Sequence, residues 1–205
     1  MSKQPIIVFE GIEGSGKSYH INNIEKLLIK IKKKYVKLRE PGGSANSEII
    51  RKIILNNKSS FNNLTDLLLY LASRSENVQE IIKKNYRKKI VLIDRFTDSS
   101  IAYQHYGMGI DKKLILYLNK LILKRIRPDF TFLNIVNKKN LKIRLYKRKN
   151  KNRYDKFDYN FYNTVQKGFL KLASNKKKYM IVDSNNKISI NKEIILNKVR
   201  KLIKL

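Results

Sequence analysis

The residues with the clearest chemical meaning in this sequence form a glycine-rich run near the N-terminus. The run reads Gly11-Ile12-Glu13-Gly14-Ser15-Gly16-Lys17-Ser18, which is the spacing of a phosphate-binding loop. Glycines let backbone N–H groups converge on phosphate oxygens, while Lys17 would bridge the β- and γ-phosphates and Ser18 would ligate Mg²⁺. Apolar residues precede the run and a helical pattern follows it, as such a loop requires. The run therefore predicts a nucleotide phosphate site.

A second pair of charged residues stands directly after a predicted buried strand. The strand is the near-continuous apolar run Ile90-Val91-Leu92-Ile93, which is typical of a strand buried on both faces of a parallel sheet. Asp94 and Arg95 follow it, and ligands of such sheets bind beyond the carboxyl ends of the strands. Core packing does not explain an acid at this position. We expect Asp94 to organise Mg²⁺ or an acceptor phosphate, and Arg95 to neutralise charge between donor and acceptor groups.

An aromatic ring and a guanidinium share one face of a predicted helix. Tyr70 and Arg74 are four residues apart and are therefore neighbours on a helix surface. Together they could stack on a pyrimidine and hydrogen-bond its carbonyl oxygen. By spacing alone, the surrounding stretch 67–74 is more typical of core packing than of a ligand site, so both interpretations stay open.

Charge is the unusual feature of the composition. The 46 Lys and Arg residues against 16 Asp and Glu give a formal net charge of +30, which would suit a nucleic-acid surface. The basic clusters are spread through the chain, however, and 35 Lys against 11 Arg favour the bias of an AT-rich genome. Each arginine is then a candidate for a site that needs a bidentate fork. The absence of cysteine excludes disulfides, thiolate zinc sites and a cysteine nucleophile.

Predicted strands and helices alternate along the chain, with no internal repeat and no domain boundary. We expect strands at 6–10, 35–39, 89–94, 130–136 and 179–182. We expect helices at 17–34, 48–55, 64–85, 112–124, 140–149, 159–173 and from 192 onward. This order predicts one domain over 1–205, an α/β fold with helices on both faces of a parallel sheet of about five strands. No apolar run approaches the roughly 20 residues of a membrane span, and we expect a cytoplasmic protein.

Three segments resemble, in order, the signature segments of the thymidylate kinase family. They are Phe9 to Ser18, Arg39-Glu40-Pro41-Gly42-Gly43, and the stretch from Asp94 to Gln104. The stretch 68–74 is similar to the thymidine-binding helix of that family, and 127–133 to the strand before its lid. The resemblance implies a three-layer P-loop NTPase fold with a short basic lid at about 144–158, and transfer of a phosphoryl group from ATP, with Mg²⁺, to dTMP. It also implies a homodimer with no specific nucleic acid or membrane partner.

The resemblance also assigns roles to residues of this sequence. The substrate would be bound by Glu13, Glu40, Pro41, Arg51, Tyr70, Arg74, Arg95, Ser100, Tyr103 and Gln104. Within this set, Arg51 would hold the phosphate of dTMP. Ser100 and Gln104 would face the edge of the thymine ring. Tyr103 would crowd C2′ of the sugar and so exclude ribonucleotides.

The lid is expected to supply an arginine for the transition state. In some members of the family an arginine follows the acid of the phosphate-binding loop, but here Gly14 follows Glu13. The candidates in the lid are Arg148 and Arg153. We favour Arg153, because its Arg-Tyr-Asp context resembles the Arg-x-Glu of the family's lid. Glu13 would then orient the 3′-OH of dTMP or a nearby water.

Two other functions stay open. Another nucleoside monophosphate kinase would share the phosphate-binding loop, although adenylate kinases lack the Glu-Pro-Gly-Gly and Asp-Arg-x-x-x-Ser-Ser segments. A P-loop ATPase that acts on DNA would account for the positive charge. That function is disfavoured because 205 residues leave little room for an added DNA-binding module.

Overall fold

A computed structural model describes residues 3–149 and 151–205 of the chain. Its central strands are β1 (Ile6–Glu10), β2 (Tyr35–Arg39), β3 (Ile90–Asp94), β4 (Phe130–Ile135) and β5 (Tyr179–Asp183). They form one sheet in the order β2-β3-β1-β4-β5, and every neighbouring pair is parallel. The predicted parallel sheet of about five strands is confirmed. Because the connection after β1 runs toward one edge of the sheet and the connection after β3 runs toward the other, a ligand crevice is expected beyond the carboxyl ends of these two neighbouring strands.

Helices connect the strands. They are α1 (Lys17–Lys30), α2 (Ala45–Leu55), α3 (Asn63–Asn77), α4 (Thr97–Ser100), α5 (Lys112–Leu123), α6 (Lys138–Tyr146), α7 (Tyr159–Leu172) and α8 (Ile188–Leu202). A π-helical turn at Val78–Ile82 and a last turn at Lys83–Asn85 extend α3, and a π-helical segment at Ile101–Gly107 extends α4. A 3₁₀ turn at Arg153–Lys156 follows α6. No helix in the described part of the chain is long and apolar enough to cross a membrane.

Apolar side chains cover both faces of the sheet. On one face, Phe9 and Phe132 stack with ring centroids 4.8 Å apart and pack with apolar residues of α1 and α8. On the other face, Val8 and Val91 pack with the π-helical turn after α3 and with the end of α5. The apolar run at 90–93 is fully buried, because helices lie on both sides of β3. The three-layer α/β architecture therefore follows from the uninterrupted apolar strands.

Helix boundaries differ from the prediction where capping side chains decide them. Helix α2 begins at Ala45 instead of residue 48, because Ser44 accepts a hydrogen bond from the Ser47 N–H at 3.3 Å and so caps the helix. Asn137 caps α6 in the same way, so that α6 begins earlier than predicted; it also ends earlier, at Tyr146. Helix α1 ends before residue 34, because the chain turns through Lys32 with a positive φ of 53° on its way to β2.

One helical segment that shapes the cavity described below was not predicted. Residues 97–107 form α4 and its π-helical extension, although they show no clear apolar period. The buried residues of this segment are mixed, with polar Ser99, Ser100 and Gln104 beside apolar Ile101, Ala102 and Tyr103. A helix whose buried side mixes polar and apolar residues is not found by a test that looks for apolar spacing. The buried polar residues are themselves an indication that the segment lines a ligand site.

Candidate active site

A cavity of about 710 Å³ opens beyond the carboxyl ends of β1, β2 and β3. This volume lies within the range of small-molecule and cofactor sites. Most of the predicted site residues line it, namely Glu13, Gly14, Ser15, Gly16, Lys17, Ser18, Glu40, Pro41, Arg51, Tyr70, Asp94, Arg95, Ser100, Tyr103, Gln104 and Arg148. The residues Gly11, Ile12, Arg74 and Arg153 were also predicted for the site but are not among those that line the cavity.

The glycine-rich run forms a tight turn between β1 and α1. Gly11 has a φ of 134° and approaches β4 so closely that an added Cβ would lie 2.2 Å from the carbonyl oxygen of Asn134. A residue with a side chain does not fit there. Gly16 precedes α1 and offers it no capping side chain, so the first N–H groups of α1 are available to an anion. The turn has the geometry of a phosphate-binding loop.

Lys17 is buried at the base of this loop. Its amine donates to the carbonyl oxygens of Gly11 at 2.8 Å and Ile12 at 3.0 Å. Burial, followed by the charge of Arg95, lowers the pKa of Lys17 to about 8. An anion bound in the loop would favour the charged ammonium form. The position of Lys17 therefore suits a negatively charged ligand.

Ser18 and Asp94 meet the chemical requirements of a magnesium site. The hydroxyl of Ser18 donates to Asp94 Oδ2 at 3.2 Å, while Asp94 Oδ1 is buried with no hydrogen-bond partner in the described part of the chain. A free carboxylate oxygen is the hard ligand that Mg²⁺ takes. Within residues 3–149 and 151–205 there is no cluster of three or more His, Cys, Asp or Glu side chains that would hold a metal alone. The other ligands would be phosphate oxygens and water, so the residues fit a nucleotide-bound Mg²⁺.

Arg95 is held in place by Glu13 and Tyr103. Its guanidinium pairs with Glu13 at 2.8 Å and lies 5.2 Å from the ring centroid of Tyr103, whose hydroxyl donates to the other oxygen of Glu13. Arg95 has a φ of 67°, a left-handed conformation that costs on the order of 1–3 kcal/mol for a residue with a side chain. Burial acts to raise the pKa of Glu13, but the charges of Arg95 and Lys17 outweigh it and lower that pKa. Glu13 therefore orients Arg95, and its contact with a sugar hydroxyl stays a prediction.

Glu10, which the sequence analysis did not single out, supports the backbone that follows Arg95. Its carboxylate accepts hydrogen bonds from the N–H of Phe96 at 2.8 Å and from the hydroxyl of Ser99 at 2.6 Å. Burial, followed by the nearby Asp98, raises the pKa of Glu10 to about 7. The available signal was the same one that identified Asp94, namely an acid at the end of a buried apolar strand.

The loop between β2 and α2 forms the side of the cavity predicted to hold the acceptor. Arg51 lines the cavity and donates to the carbonyl oxygen of Pro41. Asn77 of α3 donates to the carbonyl oxygen of Gly42 at 2.7 Å. Gly43 has a φ of 121°, and a Cβ there would lie 2.8 Å from Asn77 Oδ1. The buried Asn77, which the sequence did not reveal, thus fixes the loop and excludes a side chain at Gly43.

Arg74 lies behind the cavity wall instead of on it. It is 1% exposed, forms an ion pair with Glu40 at 2.7 Å and donates to Ser100 Oγ at 2.9 Å. It also donates to Asn119 Oδ1 and to the carbonyl oxygen of Phe96. Most of its N–H donors are therefore bound to the protein. The geometry does not support a direct contact between Arg74 and a base; the residue positions Glu40 and Ser100, which do line the cavity.

Two lid arginines line the cavity, and one of them is Arg148. It pairs with Asp155 at 2.7 Å, and Asp155 also accepts a hydrogen bond from the N–H of Asn152 at 2.8 Å. The second is Arg144, which donates to the carbonyl oxygens of Gly14 at 2.9 Å and Ser184 at 2.7 Å. Arg144 was not predicted as a site residue, although the scarcity of arginine in this lysine-rich segment was a usable signal.

Arg153, the favoured lid arginine of the sequence analysis, is not brought to the cavity. It forms an ion pair with Asp66 and donates to the carbonyl oxygen of Ile54. Its guanidinium lies 5.5 Å from the ring centroid of Phe61 and 4.7 Å from that of Tyr154. These contacts anchor the lid to α2 and α3. Asp155, the acid of the Arg-Tyr-Asp context, pairs with Arg148 and not with Arg153. The geometry therefore favours Arg148 over Arg153 as the arginine near a ligand.

Comparison with known proteins agrees with this geometry. The model of the thymidylate kinase family matches residues 9–195. Similar proteins include the thymidylate kinases of Thermosipho melanesiensis, 37% identical over 96% of both chains, and of a Sulfurihydrogenibium species, 38% identical over 95% of this chain and 96% of the relative. The crystal structure of thymidylate kinase from Ehrlichia chaffeensis superposes with a TM-score of 0.76 at 32% identity, covering 99% of this chain and 100% of the other. The chain therefore belongs to the thymidylate kinase family.

Proposed function

We propose that this protein transfers the γ-phosphoryl group of Mg-ATP to dTMP, giving dTDP and ADP for dTTP biosynthesis. The observation that carries the proposal is that a single cavity contains both the phosphate-binding loop and the acceptor residues Arg51, Tyr70 and Gln104. Direct transfer requires that both nucleotides be held together in one site. The relatives described above, which are thymidylate kinases, support dTMP as the acceptor.

The donor triphosphate lies in the loop that joins β1 to α1. Its phosphates accept hydrogen bonds from the first N–H groups of α1, and Lys17 supplies a positive charge that follows the transferring group. Mg²⁺, held by Ser18 and Asp94, would spread the charge of the β- and γ-phosphate oxygens. The buried position of Lys17 supports this role, because a charge acts more strongly where water is excluded.

The acceptor nucleotide lies between the loop at 40–43 and the helical segment at 97–107. Arg51 binds its phosphate, and the ring of Tyr70 stacks on the thymine. Ser100 and Gln104 face the edge of the base, while Tyr103 occupies the space beside C2′ of the sugar. The presence of all five side chains on the cavity wall supports this arrangement.

Two arginines stabilise the phosphoryl group as it moves. Arg95, whose guanidinium is fixed by Glu13 and Tyr103, carries charge between donor and acceptor phosphates. Arg148 approaches from the lid and provides the bidentate fork that the transition state requires. The ion pair between Arg148 and Asp155 supports this role, since it limits the directions that a partly exposed side chain can take.

Exposed apolar side chains on three neighbouring helices support a homodimer. Helix α2 packs on α3, and α3 packs on α5. Their outer faces carry the exposed residues Ile49, Ile53, Leu64, Leu68, Leu114, Leu116, Tyr117 and Leu121. A second copy would bury the same patch on both chains. Light scattering should give a dimeric mass for the parent protein and a lower mass for Tyr117→Lys, and a monomeric parent would contradict the dimer.

The test of the activity is ADP release from Mg-ATP with dTMP, dUMP, UMP, CMP and AMP measured in parallel. We expect dTMP to give the highest kcat/KM. Lys17→Ala should lower the rate of ADP release by at least about 100-fold, while Lys30→Ala, at an exposed lysine on the same helix, should leave it unchanged. Preference for AMP or CMP would indicate another nucleoside monophosphate kinase.

The same assay tests the role of the positive charge. Salt-sensitive DNA binding without monophosphate-dependent ADP release would favour a DNA-associated ATPase. We expect instead that added DNA does not stimulate ADP release, since the basic clusters are spread over the chain. The cytoplasmic location stays a prediction.

A further inference from the structure

Asp66 is a buried carboxylate that the proposed reaction does not use. It lies in the first turn of α3 and is 1% exposed. Its Oδ2 accepts hydrogen bonds from Gln104 Nε2 at 3.2 Å and from the Tyr154 hydroxyl at 2.6 Å. Its Oδ1 forms an ion pair with Arg153. A single carboxylate therefore joins the lid to a residue of the cavity wall.

These contacts determine which end of the Gln104 amide faces Asp66. A carboxylate in an ion pair with a guanidinium only accepts hydrogen bonds. If the amide of Gln104 were rotated by half a turn, its oxygen would meet Asp66 Oδ2 and two acceptors would be in contact. The NH₂ group must therefore point to Asp66, as it does.

The oxygen of the same amide is left for a ligand. Gln104 is 1% exposed and lines the cavity. In the described part of the chain, no hydrogen-bond donor reaches Gln104 Oε1, although the atom is not sealed inside the protein. The amide therefore offers an acceptor toward the cavity, and the partner that satisfies it must be a donor on the bound molecule.

We propose that Asp66 sets the base selectivity of the acceptor site by fixing the amide of Gln104 with its oxygen toward the base. This inference rests on the proposed function. A thymine or uracil ring carries an N3–H donor that matches this oxygen, whereas N3 of cytosine is an acceptor and does not. Asp66 is a positioning residue, since it acts only through Gln104. Asp66 also pairs with Arg153 of the lid, so the lid anchor and base recognition share one carboxylate.

The experiment compares dTMP with 5-methyl-dCMP, which differs from dTMP only in the hydrogen-bonding groups at positions 3 and 4 of the ring. Asp66→Asn introduces a donor that lets the amide of Gln104 rotate. We expect the preference for dTMP over 5-methyl-dCMP, measured as the ratio of their kcat/KM values, to fall by about 10- to 100-fold. The change should appear in KM for the monophosphates, while KM for ATP stays unchanged. Tyr154→Phe removes another hydrogen bond to the same oxygen of Asp66 and should preserve the ratio.

A double-mutant cycle tests whether Asp66 acts through Gln104. In a Gln104→Leu background, Asp66→Asn should no longer change the ratio. If Asp66→Asn narrowed the ratio equally in that background, or if Asp66→Asn alone left the ratio unchanged, the proposal would be overturned. The proposed function would still stand as long as the parent protein phosphorylates dTMP. If the parent does not phosphorylate dTMP, the proposed function fails and this inference fails with it.

Gln104→Glu provides a second measurement if Asp66→Asn does not fold. It places two carboxyl groups against each other, which cannot both ionise at low cost. The ratio of KM for dTMP in this variant to KM in the parent should then rise steeply between about pH 5 and pH 8, because the ionisation of the dTMP phosphate in this range affects both proteins alike. A pH-independent change in KM would show that Asp66 does not face the amide and would overturn the proposal.

Discussion

Replacing Arg148 and Arg153 by lysine should affect different properties of the protein, catalysis in the first case and stability in the second. Arg148→Lys should lower kcat for dTDP formation and lower the melting temperature by less than Arg153→Lys does. Arg153→Lys should lower the melting temperature and leave kcat within a few-fold of the parent. The reason is that Arg148 lines the cavity, whereas Arg153 is bound to Asp66 and to the carbonyl oxygen of Ile54.

The size of each effect follows from the contacts that lysine cannot reproduce. An arginine that stabilises a transferring phosphoryl group contributes about 10³–10⁵ in rate, and lysine keeps the charge without the fork. A loss of at least about 100-fold in kcat is therefore expected for Arg148→Lys. Lysine at position 153 retains an ion pair but loses a hydrogen bond and the planar contacts with two rings. That loss is worth about 1–2 kcal/mol, or a fall of about 2–8 °C in melting temperature for a chain of this size.

The assay measures ADP release at saturating dTMP and thermal unfolding of the same preparations. Arg200→Lys is a matched control that should change neither quantity, because the Arg200 side chain, within the described part of the chain, hydrogen-bonds only to the exposed Asn197 side chain of its own helix. A strong loss of kcat in Arg153→Lys with an unchanged melting temperature would refute the reasoning. Normal kcat in both lid variants would exclude Arg148 and Arg153 from the transition state and leave that role to Arg95 or to Arg144, the other lid arginine on the cavity wall.

Three further substitutions test other parts of the site. Lys17→Ala should lower kcat at least about 100-fold while calorimetry still detects dTMP binding, and near-normal turnover would contradict an ATP-binding loop. Tyr103→Ala should narrow the preference for dTMP over its ribonucleotide analogue, since steric exclusion of a small group is worth about 1–3 kcal/mol; an unchanged ratio of kcat/KM would move the discrimination to Glu13. Glu10, with its pKa raised to about 7 from 4.5, binds its proton more tightly in the folded state. The free energy of unfolding of the parent, measured by urea titration, should therefore fall by on the order of 3 kcal/mol relative to that of Glu10→Gln as pH rises from about 4.5 to 7. If the free energies of the two proteins changed in parallel with pH, this reasoning would be contradicted.

The strands and the phosphate-binding loop could be predicted because their signals are local. An apolar run such as 90–93 must be buried on both faces, and this alone places the acid after it at the edge where ligands bind. Gly11 and Lys17 follow from the spacing of one motif. The segment 97–107 gave no such signal, because cavity-lining polar residues interrupt its buried apolar ones and hide the helical period.

The lid could not be predicted to the same degree, because its contacts join residues that are distant in the sequence. The Arg-Tyr-Asp context favoured Arg153 as the lid arginine near the ligand, but Asp155 pairs with Arg148, and Arg153 pairs with Asp66, which is distant in the sequence. The position of Arg74 also depends on contacts with residues that are distant in the sequence. Its shared helix face with Tyr70 was correctly inferred, whereas its burial against Glu40 depends on the loop after β2.

Arginine and lysine take part in different kinds of ion pair in this protein. Among the described residues, the ion pairs with a buried or nearly buried acid all use arginine, and they are Arg74–Glu40, Arg95–Glu13, Arg148–Asp155 and Arg153–Asp66. The lysine pairs have more exposed acids, at Lys3–Asp129, Lys37–Glu25 and Lys84–Glu80. A buried carboxylate needs several directed hydrogen bonds to offset its desolvation, and a guanidinium supplies them where an ammonium does not. In a chain with 35 Lys and 11 Arg, these four arginines therefore stand where the geometry of a charge matters, and all four pairs lie in or beside the cavity and its lid.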